Sequence, residues 1–406
     1  MFNLEESLQA LVGHDEFVVK KYNGLVCLDY ILCFPGTFDV DQNDVEKYGL
    51  QVAERNALIR RNCRGMVFSE ATGELVSLPL HKFFNVDQVE ATKFENIKHF
   101  DARIYEKCDG SMIHFFIHPE TKLLQASTCR STETSQAKES LALVKKNPDL
   151  ENKILTIIKI GFTPVFEYVA PHNQIVVQYR VPKLIYLISR DRLNGTYHFH
   201  NFEDSAKTFD FPFSTIHEFL DKKEFEGYVC HLKDEHGNIK MLVKAKTPWY
   251  MERHKAVDAM MRPAYKLYQV VFDGIMDDLI ATAPEVYKPQ LNKIYEEAQR
   301  DLLNEKIKLD NLFDKLFKEL LSKNTYSQEE IDARFPTEEA RVVTDKRLRK
   351  DFVMFVKDDY KKYFGRLMNC YMGRNSDNLI KEDLMAVYEQ KYNYKLFETL
   401  EFESCE

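Results

Sequence analysis

Two periodicities divide this chain. Up to about residue 250, apolar residues come in short runs and alternations bounded by Gly, Asn and Asp, which is the pattern of strands and turns. A short amphipathic helix over the first residues leads into a strand near residue 20, and Gly24 to Phe34 reads as an apolar strand pair. The polar stretch Asp39 to Arg61 predicts a loop and a helix. Arg64 to Phe68 and Leu75 to Leu80 form a hairpin about Thr72-Gly73, closed by His81-Lys82-Phe83-Phe84-Asn85. A second hairpin joins Met112–Ile117 to Leu123–Thr128. Helices are expected near Thr134–Lys146 and Pro148–Ile160. Strands then return over Pro164–Ala170, Ile175–Tyr179 and Leu184–Ser189, the last paired through Asn194-Gly195 with Tyr197–His200. A helical patch runs from Ser214 to Lys222, and a final hairpin joins Gly227–Leu232 to Ile239–Lys244. Beyond Trp249 the apolar positions step by three and four, as in Tyr265, Leu267, Tyr268, Val271, Phe272 and Ile275, and again from Leu309 to Leu320.

The expected fold is therefore α+β. Residues 1–250 form a domain of two antiparallel sheets with flanking helices, and residues 251–406 form an all-helical second domain of six to eight helices. A chain of 406 residues is long enough for two cores. The net charge of -8 argues against a protein that coats nucleic acid nonspecifically, but leaves room for a local basic groove. The eight cysteines show no metal-ligand or disulfide spacing, so reduced thiols in a cytoplasmic chain are expected. No secretory signal is expected at the N-terminus, and no window is apolar enough to span a membrane.

Candidate chemistry centres on Tyr105-Glu106-Lys107-Cys108-Asp109-Gly110-Ser111. A lysine here ends a strand, and the Asp-Gly turn fixes the backbone just beyond it. Neighbouring cations, a metal or partial burial can depress a lysine pKa and free the amine for attack. The plain alternative is a β-turn with a solvent lysine, and the motif alone does not decide. Further stretches bring charge to strand ends in a fixed order: Cys63-Arg64-Gly65, Phe166-Glu167-Tyr168, Glu226-Gly227-Tyr228-Val229, Lys244-Ala245-Lys246, then Trp249-Tyr250. Lys244 and Lys246 alternate along a strand and so share a face. Their alternative is an exposed edge strand guarded by lysines.

This ordered set resembles the covalent nucleotidyltransferases (DNA ligases, RNA ligases and mRNA capping enzymes) and within them the phage RNA ligase 1 family, the ATP-dependent tRNA-repair type. The resemblance runs from about Tyr30 to beyond Asp278 and takes in Lys82-Phe83-Phe84-Asn85, Phe166 to Pro171 with Asn173, and Asp273-Gly274 with Asp277-Asp278. It departs at Arg130-Ser131-Thr132, where the family tends to carry a cation followed by Gly-Ser.

The resemblance implies an α-phosphate attack by Lys107 that gives lysyl-AMP, with Lys244 and Lys246 on the phosphate oxygens. It implies ATP contacts from Tyr30, Arg64, Lys82, Phe84, Asp109, Gly110, Arg130, Glu167, Glu226 and Tyr250. Among these, Glu167 would take the ribose hydroxyls, and Tyr30, Phe84 and Tyr250 would shape the nucleoside pocket. It also implies Mg2+, or Mn2+ in its place, at Glu226, with Asp277 and Asp278 as a further cation site or a plain helix-surface acidic pair. The implied partner is RNA with 5′-phosphate and 3′-hydroxyl ends, including cleaved tRNA, acted on by a monomer with no membrane attachment. A DNA ligase or capping enzyme would carry a β-rich barrel after Lys246, where this chain reads as helices. An inactive relative that only binds RNA would be expected to lose some of these charged positions.

Overall fold

The structure is a computed structural model and describes residues 2–34, 36–326 and 346–395. It divides into two compact units between His254 and Lys255, inside the helix Pro248–Met260.

The first unit is built on three sheets, one more than the pair expected. Strands β1 (Phe17–Tyr22), β2 (Leu25–Tyr30), β3 (Arg64–Ser69) and β4 (Leu75–Ser77) form an antiparallel sheet in chain order. The remaining strands are β5 (Phe84–Asn85), β6 (Ala102–Lys107), β7 (Ser111–Ile117), β8 (Leu124–Ser127), β9 (Phe162–Val169), β10 (Lys183–Asp191), β11 (Tyr197–His198), β12 (Thr208–Phe209), β13 (Gly227–Lys233) and β14 (Ile239–Lys246). They make two five-stranded sheets, ordered β11-β10-β9-β7-β8 and β12-β6-β13-β14-β5. All pairings are antiparallel except β14 with β5.

Alternation along these strands builds separate cores. On β13, Tyr228, Cys230 and Leu232 point to an outer core shared with Phe213 and Ile216, which leaves Gly227, Val229 and His231 for the opposite face. Leu80, Phe83, Met112, Val165, Ile188 and Leu242 form a further core with members from both five-stranded sheets. The helices Ser135–Lys145 and Pro148–Lys159 cover the β9 sheet, burying Val144, Ile154, Ile157 and Ile158 against Phe115, Phe166 and Tyr186. The second of these starts where the sequence signals it: Asn147 caps Leu150 N at 3.1 Å, proline holds the first turn, and Asp149 and Glu151 complement the helix dipole.

One expected strand is absent. Residues 175–179 follow a 3-10 turn (Pro171–Asn173) and make no ladder, because the backbone N–H groups of Val176 and Val177 donate to the Asp109 carboxylate at 2.7 and 2.6 Å.

The second unit, by itself, is helical among the described residues, with one isolated bridge between Pro263 and Lys395. Its spine is the helix Lys288–Lys323, whose buried stripe includes Leu291, Ile294, Ala298, Leu302, Leu309, Phe313, Leu316 and Leu320. No barrel of short strands follows β14 among the described residues. Residues 327–345 and 396–406 of the expected helical domain lie outside them. No helix among the described residues is long and apolar enough to cross a membrane.

Candidate active site

A cleft runs between the two five-stranded sheets of the first unit, and strand register sets out its floor. On one face of β6, β13 and β14, Lys107 lies beside Gly227 and Lys246. The next row is Tyr105, Val229 and Lys244, and the third is Arg103, His231 and Leu242. Lys107 is thus the last residue of its strand, and the chain turns at once through Asp109-Gly110. A Cβ on Gly110 would lie 2.3 Å from the carbonyl oxygen of Tyr168, so only glycine lets the turn pass this close to β9.

The charge pattern is lopsided. Lys107 Nζ lies 2.6 Å from Glu226 Oε1, and Lys246 Nζ lies 3.7 Å from the same oxygen. The other oxygen of Glu226 is buried without a hydrogen-bond partner. Burial alone would lower the Lys107 pKa, but Glu226, Glu167 and Asp109 together hold it above the ordinary lysine value. The expectation that neighbouring cations depress Lys107 is therefore corrected: in the free protein carboxylates outweigh them, and the amine is an ammonium. Lys244 is the opposite case. It is 8% exposed, with no carboxylate against it, and burial with Lys246, Lys107, Lys82 and Arg64 pushes its pKa well down. Burial also raises Glu167 to about 8, an effect the nearby Lys107 reduces. Glu167 accepts a hydrogen bond from Gly110 N at 3.1 Å.

Ten of the residues singled out by sequence line this cleft: Arg64, Lys82, Lys107, Asp109, Gly110, Glu167, Glu226, Lys244, Lys246 and Tyr250. Asp109 does so as a brace. It is 1% exposed, and besides the two backbone N–H groups of the 176–177 segment it accepts the Tyr250 hydroxyl at 2.8 Å. Its carboxylate is thereby committed to the protein rather than to a nucleotide.

Five residues fall outside the lining. Tyr30 and Phe84 were expected in the nucleoside pocket; instead, with Phe38, they surround the Lys82 ammonium, which lies 5.1 to 5.9 Å from the three ring centroids. Phe84 sits here because β5 pairs with the edge of β14, and Lys82 and Phe83 are the residues before it that reach the cleft. Arg130 faces Asp29, which is buried, at 3.7 Å. Its loop is fixed by Gly65, at φ +85°, where a Cβ would come within 2.7 Å of the Cys129 Cα. Asp277 and Asp278 belong to the second unit, exposed on the first turn of the helix Met276–Thr282, where acids complement the dipole. Among the described residues no group of three or more His, Cys, Asp or Glu could hold a metal.

Sequence reasoning gave no particular role to several residues at or beside the cleft. The Asp109 N–H donates to the hydroxyl of Tyr179, behind the cleft wall, at 3.0 Å, and Ser111, Asn173 and Gln136, which line the cleft, are joined by side-chain hydrogen bonds. The apolar part of the cleft is formed by Val229 and Leu187. Leu187 sits where the β9–β10 register shifts between Tyr186 and Ile188, a bulge that alternation does not reveal.

Cys108, beside the central lysine, is 4% exposed and packs with Tyr105, Val169, Ile185 and Ala206. Burial and then the Glu167, Glu106 and Glu226 carboxylates hold its thiol well above the usual value, so it is not a thiolate. Iodoacetamide applied to the native protein is expected to leave Cys108 unmodified by peptide mass spectrometry. Cys108→Ser should cost about 1 kcal/mol and keep most activity. Rapid labelling that ATP blocks would instead place the thiol in the cleft.

Paired sheets thus enclose a strand-end lysine together with Arg64, Lys82, Lys244 and Lys246, a cluster of basic groups suited to a polyanion. Residues 62–250 match the family model described as RNA ligase. The chain is similar to a putative RNA ligase of Thermovibrio ammonificans, 28% identical over 333 residues, covering 78% of this chain and 82% of that protein. It is also similar to a putative bifunctional polynucleotide kinase/RNA ligase of Autographa californica nuclear polyhedrosis virus, 27% identical over 270 residues. That match covers 60% of this chain and only 37% of the viral protein's length. Among solved structures, a Naegleria gruberi RNA ligase variant with ATP and Mn matches at 15% identity and a TM-score of 0.31, over 40% of this chain and 54% of that one.

Proposed function

We propose that this protein is an ATP-dependent RNA ligase that joins 5′-phosphate to 3′-hydroxyl ends through lysyl-AMP and RNA-adenylate intermediates. The observation that carries it is Lys244, a buried amine with no carboxylate against it and its pKa pushed well down, facing the same cleft as Lys107, Lys246, Lys82 and Arg64. Burial and neighbouring cations disfavour the charged form of Lys244 in the free protein, and a polyphosphate is the ligand that would restore that charge.

In this reading Lys107 Nζ attacks the α-phosphorus of ATP and pyrophosphate leaves. Before attack the amine gives up a proton, and Glu226 Oε1 at 2.6 Å is the nearest acceptor. Lys244 and Lys246, on one face of β14, hold the α-phosphate oxygens as charge builds. Lys82, kept extended by its three aromatic neighbours, and Arg64 take the outer phosphates. The purine enters the apolar slot between Val229 and Leu187, and the protonated Glu167 side chain serves the ribose hydroxyls. The buried free oxygen of Glu226 suits a divalent cation, and Mg2+ or Mn2+ there would neutralise phosphate oxygens. The second unit recognises the RNA, with cleaved tRNA as one candidate substrate.

Incubation with ATP labelled at the α-phosphate should leave label on the denatured protein, and chase with single-stranded 5′-phosphorylated RNA should move it off and seal the ends. Nicked DNA should be sealed far less well. A chain ending at residue 262 that is folded by circular dichroism should keep self-adenylation and lose preference among structured RNAs. Absence of a covalent adenylate in the full chain sinks the proposal.

A further inference from the structure

The cleft floor continues past the slot assigned to the purine, and what lies there is polar and unsatisfied. His231 is 6% exposed, lines the cleft, and hydrogen-bonds no described residue. Its ring instead packs on Tyr105 with centroids 4.5 Å apart and a 39° tilt. A buried imidazole ordinarily finds a partner, since burying a polar group without a hydrogen bond is costly. Leaving one bare on a cavity wall points to a ligand that supplies the partner.

Register says which part of a nucleotide reaches it. Lys107, Val229 and His231 occupy successive rows on one face of the sheet, each row two residues from the last. At ~3.3 Å per residue, His231 is four residues, or roughly 13 Å along the strands, from the Lys107 row. A lysine reaching back to an α-phosphate and a nucleoside laid over Val229 fill that span. The opposite side of the floor, towards β14 and β5, holds Lys244, Lys246 and Lys82 and is the triphosphate side. Only the far edge of the base is left to meet His231.

We propose that His231 reads the six-position of the purine, accepting a hydrogen bond from the exocyclic amine of adenine and thereby favouring ATP. The proposal rests on the ATP-dependent reading above. A neutral imidazole offers one acceptor and one donor nitrogen, which suits a base edge, whereas an imidazolium could only donate. Here burial, then Arg103 and Lys233, pushes the His231 pKa down to about 3, so the ring is neutral at any working pH. Tyr105 holds the ring from one side, and Phe199 stacks on Tyr105 at 5.4 Å, with the Arg103 guanidinium within 5.3 Å of the Phe199 ring centre. The imidazole is thus held in place before the base arrives.

The test compares ATP with purine riboside triphosphate, which lacks only the amine, by the rate of covalent nucleotide transfer to the protein at subsaturating nucleotide. The wild-type protein should prefer ATP by about tenfold, the discrimination one hydrogen bond provides. His231→Phe, which preserves ring packing on Tyr105, should bring the ratio close to one by slowing the ATP reaction. His231→Gln, whose amide oxygen can accept from the same amine, should restore part of the preference and serves also if the Phe variant does not fold. A wild-type protein that uses both nucleotides equally overturns the inference, as does a Phe variant that keeps the full preference. If no nucleotide becomes covalently attached at all, the ligase reading itself has failed, and this inference falls with it.

Discussion

Lys107→Ala will form no covalent AMP with ATP at any metal concentration, while sealing of RNA supplied already adenylylated at its 5′ end will persist. The first half follows because no other amine shares its position at the end of β6, in the row with Gly227 and Lys246. The second half follows because the remaining step uses phosphate-binding groups, not the nucleophile. The effect on stability should be modest even though the lost partner of Glu226 is only 2.6 Å away. Breaking a buried ion pair can cost about 3–5 kcal/mol when a bare charge is left behind. Here Lys246, 3.7 Å from the same oxygen, remains as a counter-charge. Lys107 is also 21% exposed. A melting temperature lowered by a few degrees, with native circular dichroism, is the expected result. A denatured Lys107→Ala protein that still carries AMP would show that a different lysine is the nucleophile.

The parts of the site that rest on strand alternation were readable in the sequence. Lys244 and Lys246 are two residues apart on a strand, and a shared face is all their placement requires. Glu226 and Lys107 meet because β13 pairs with β6, a pairing of distant segments that no local pattern announces. What sequence missed lies where side-chain bonding overrides local pattern. Ile175–Tyr179 has strand composition, yet the Asp109 carboxylate takes two of its backbone donors and holds it as a loop. Tyr30 and Phe84 carry the right aromatic character for a nucleoside pocket, but their rings turn to Lys82. Leu187 is aimed into the cleft by a bulge, and a bulge leaves no mark in hydrophobic periodicity. The protonation of Lys107 was misjudged for a related reason. Sequence shows which cations are near in number, while the structure shows which carboxylate is near in space.

Lys244→Met is expected to make a protein that is more stable and nearly inactive. Lys244 is 8% exposed, surrounded by Lys246, Lys107, Lys82 and Arg64, and its pKa is driven well below the ordinary value by burial and by those neighbours. Such a group opposes folding at neutral pH. The unfolded chain holds its proton up to the ordinary lysine pKa of 10.5, and the folded chain does not, so the unfolded state binds more protons. Glu167, raised to about 8, has the opposite slope up to that pH, so the rise of wild-type stability with pH due to Lys244 should emerge between about pH 8 and 10.5. Lys107, whose folded pKa is raised, has its linkage above 10.5 and does not confuse the measurement. Methionine fills a similar volume without the charge, so the gain should be about 1 kcal/mol or more, and the rise with pH should flatten. Activity should move the other way. Removing one charge-stabilising donor from a reacting centre typically costs about 10²–10³ in rate, and lysyl-AMP formation should fall by that factor. Thermal melts of both proteins from pH 6 to 9.5, beside single-turnover adenylation, measure both signs. A variant that is less stable across that range, or that adenylates at the wild-type rate, would show that Lys244 is an ordinary structural lysine.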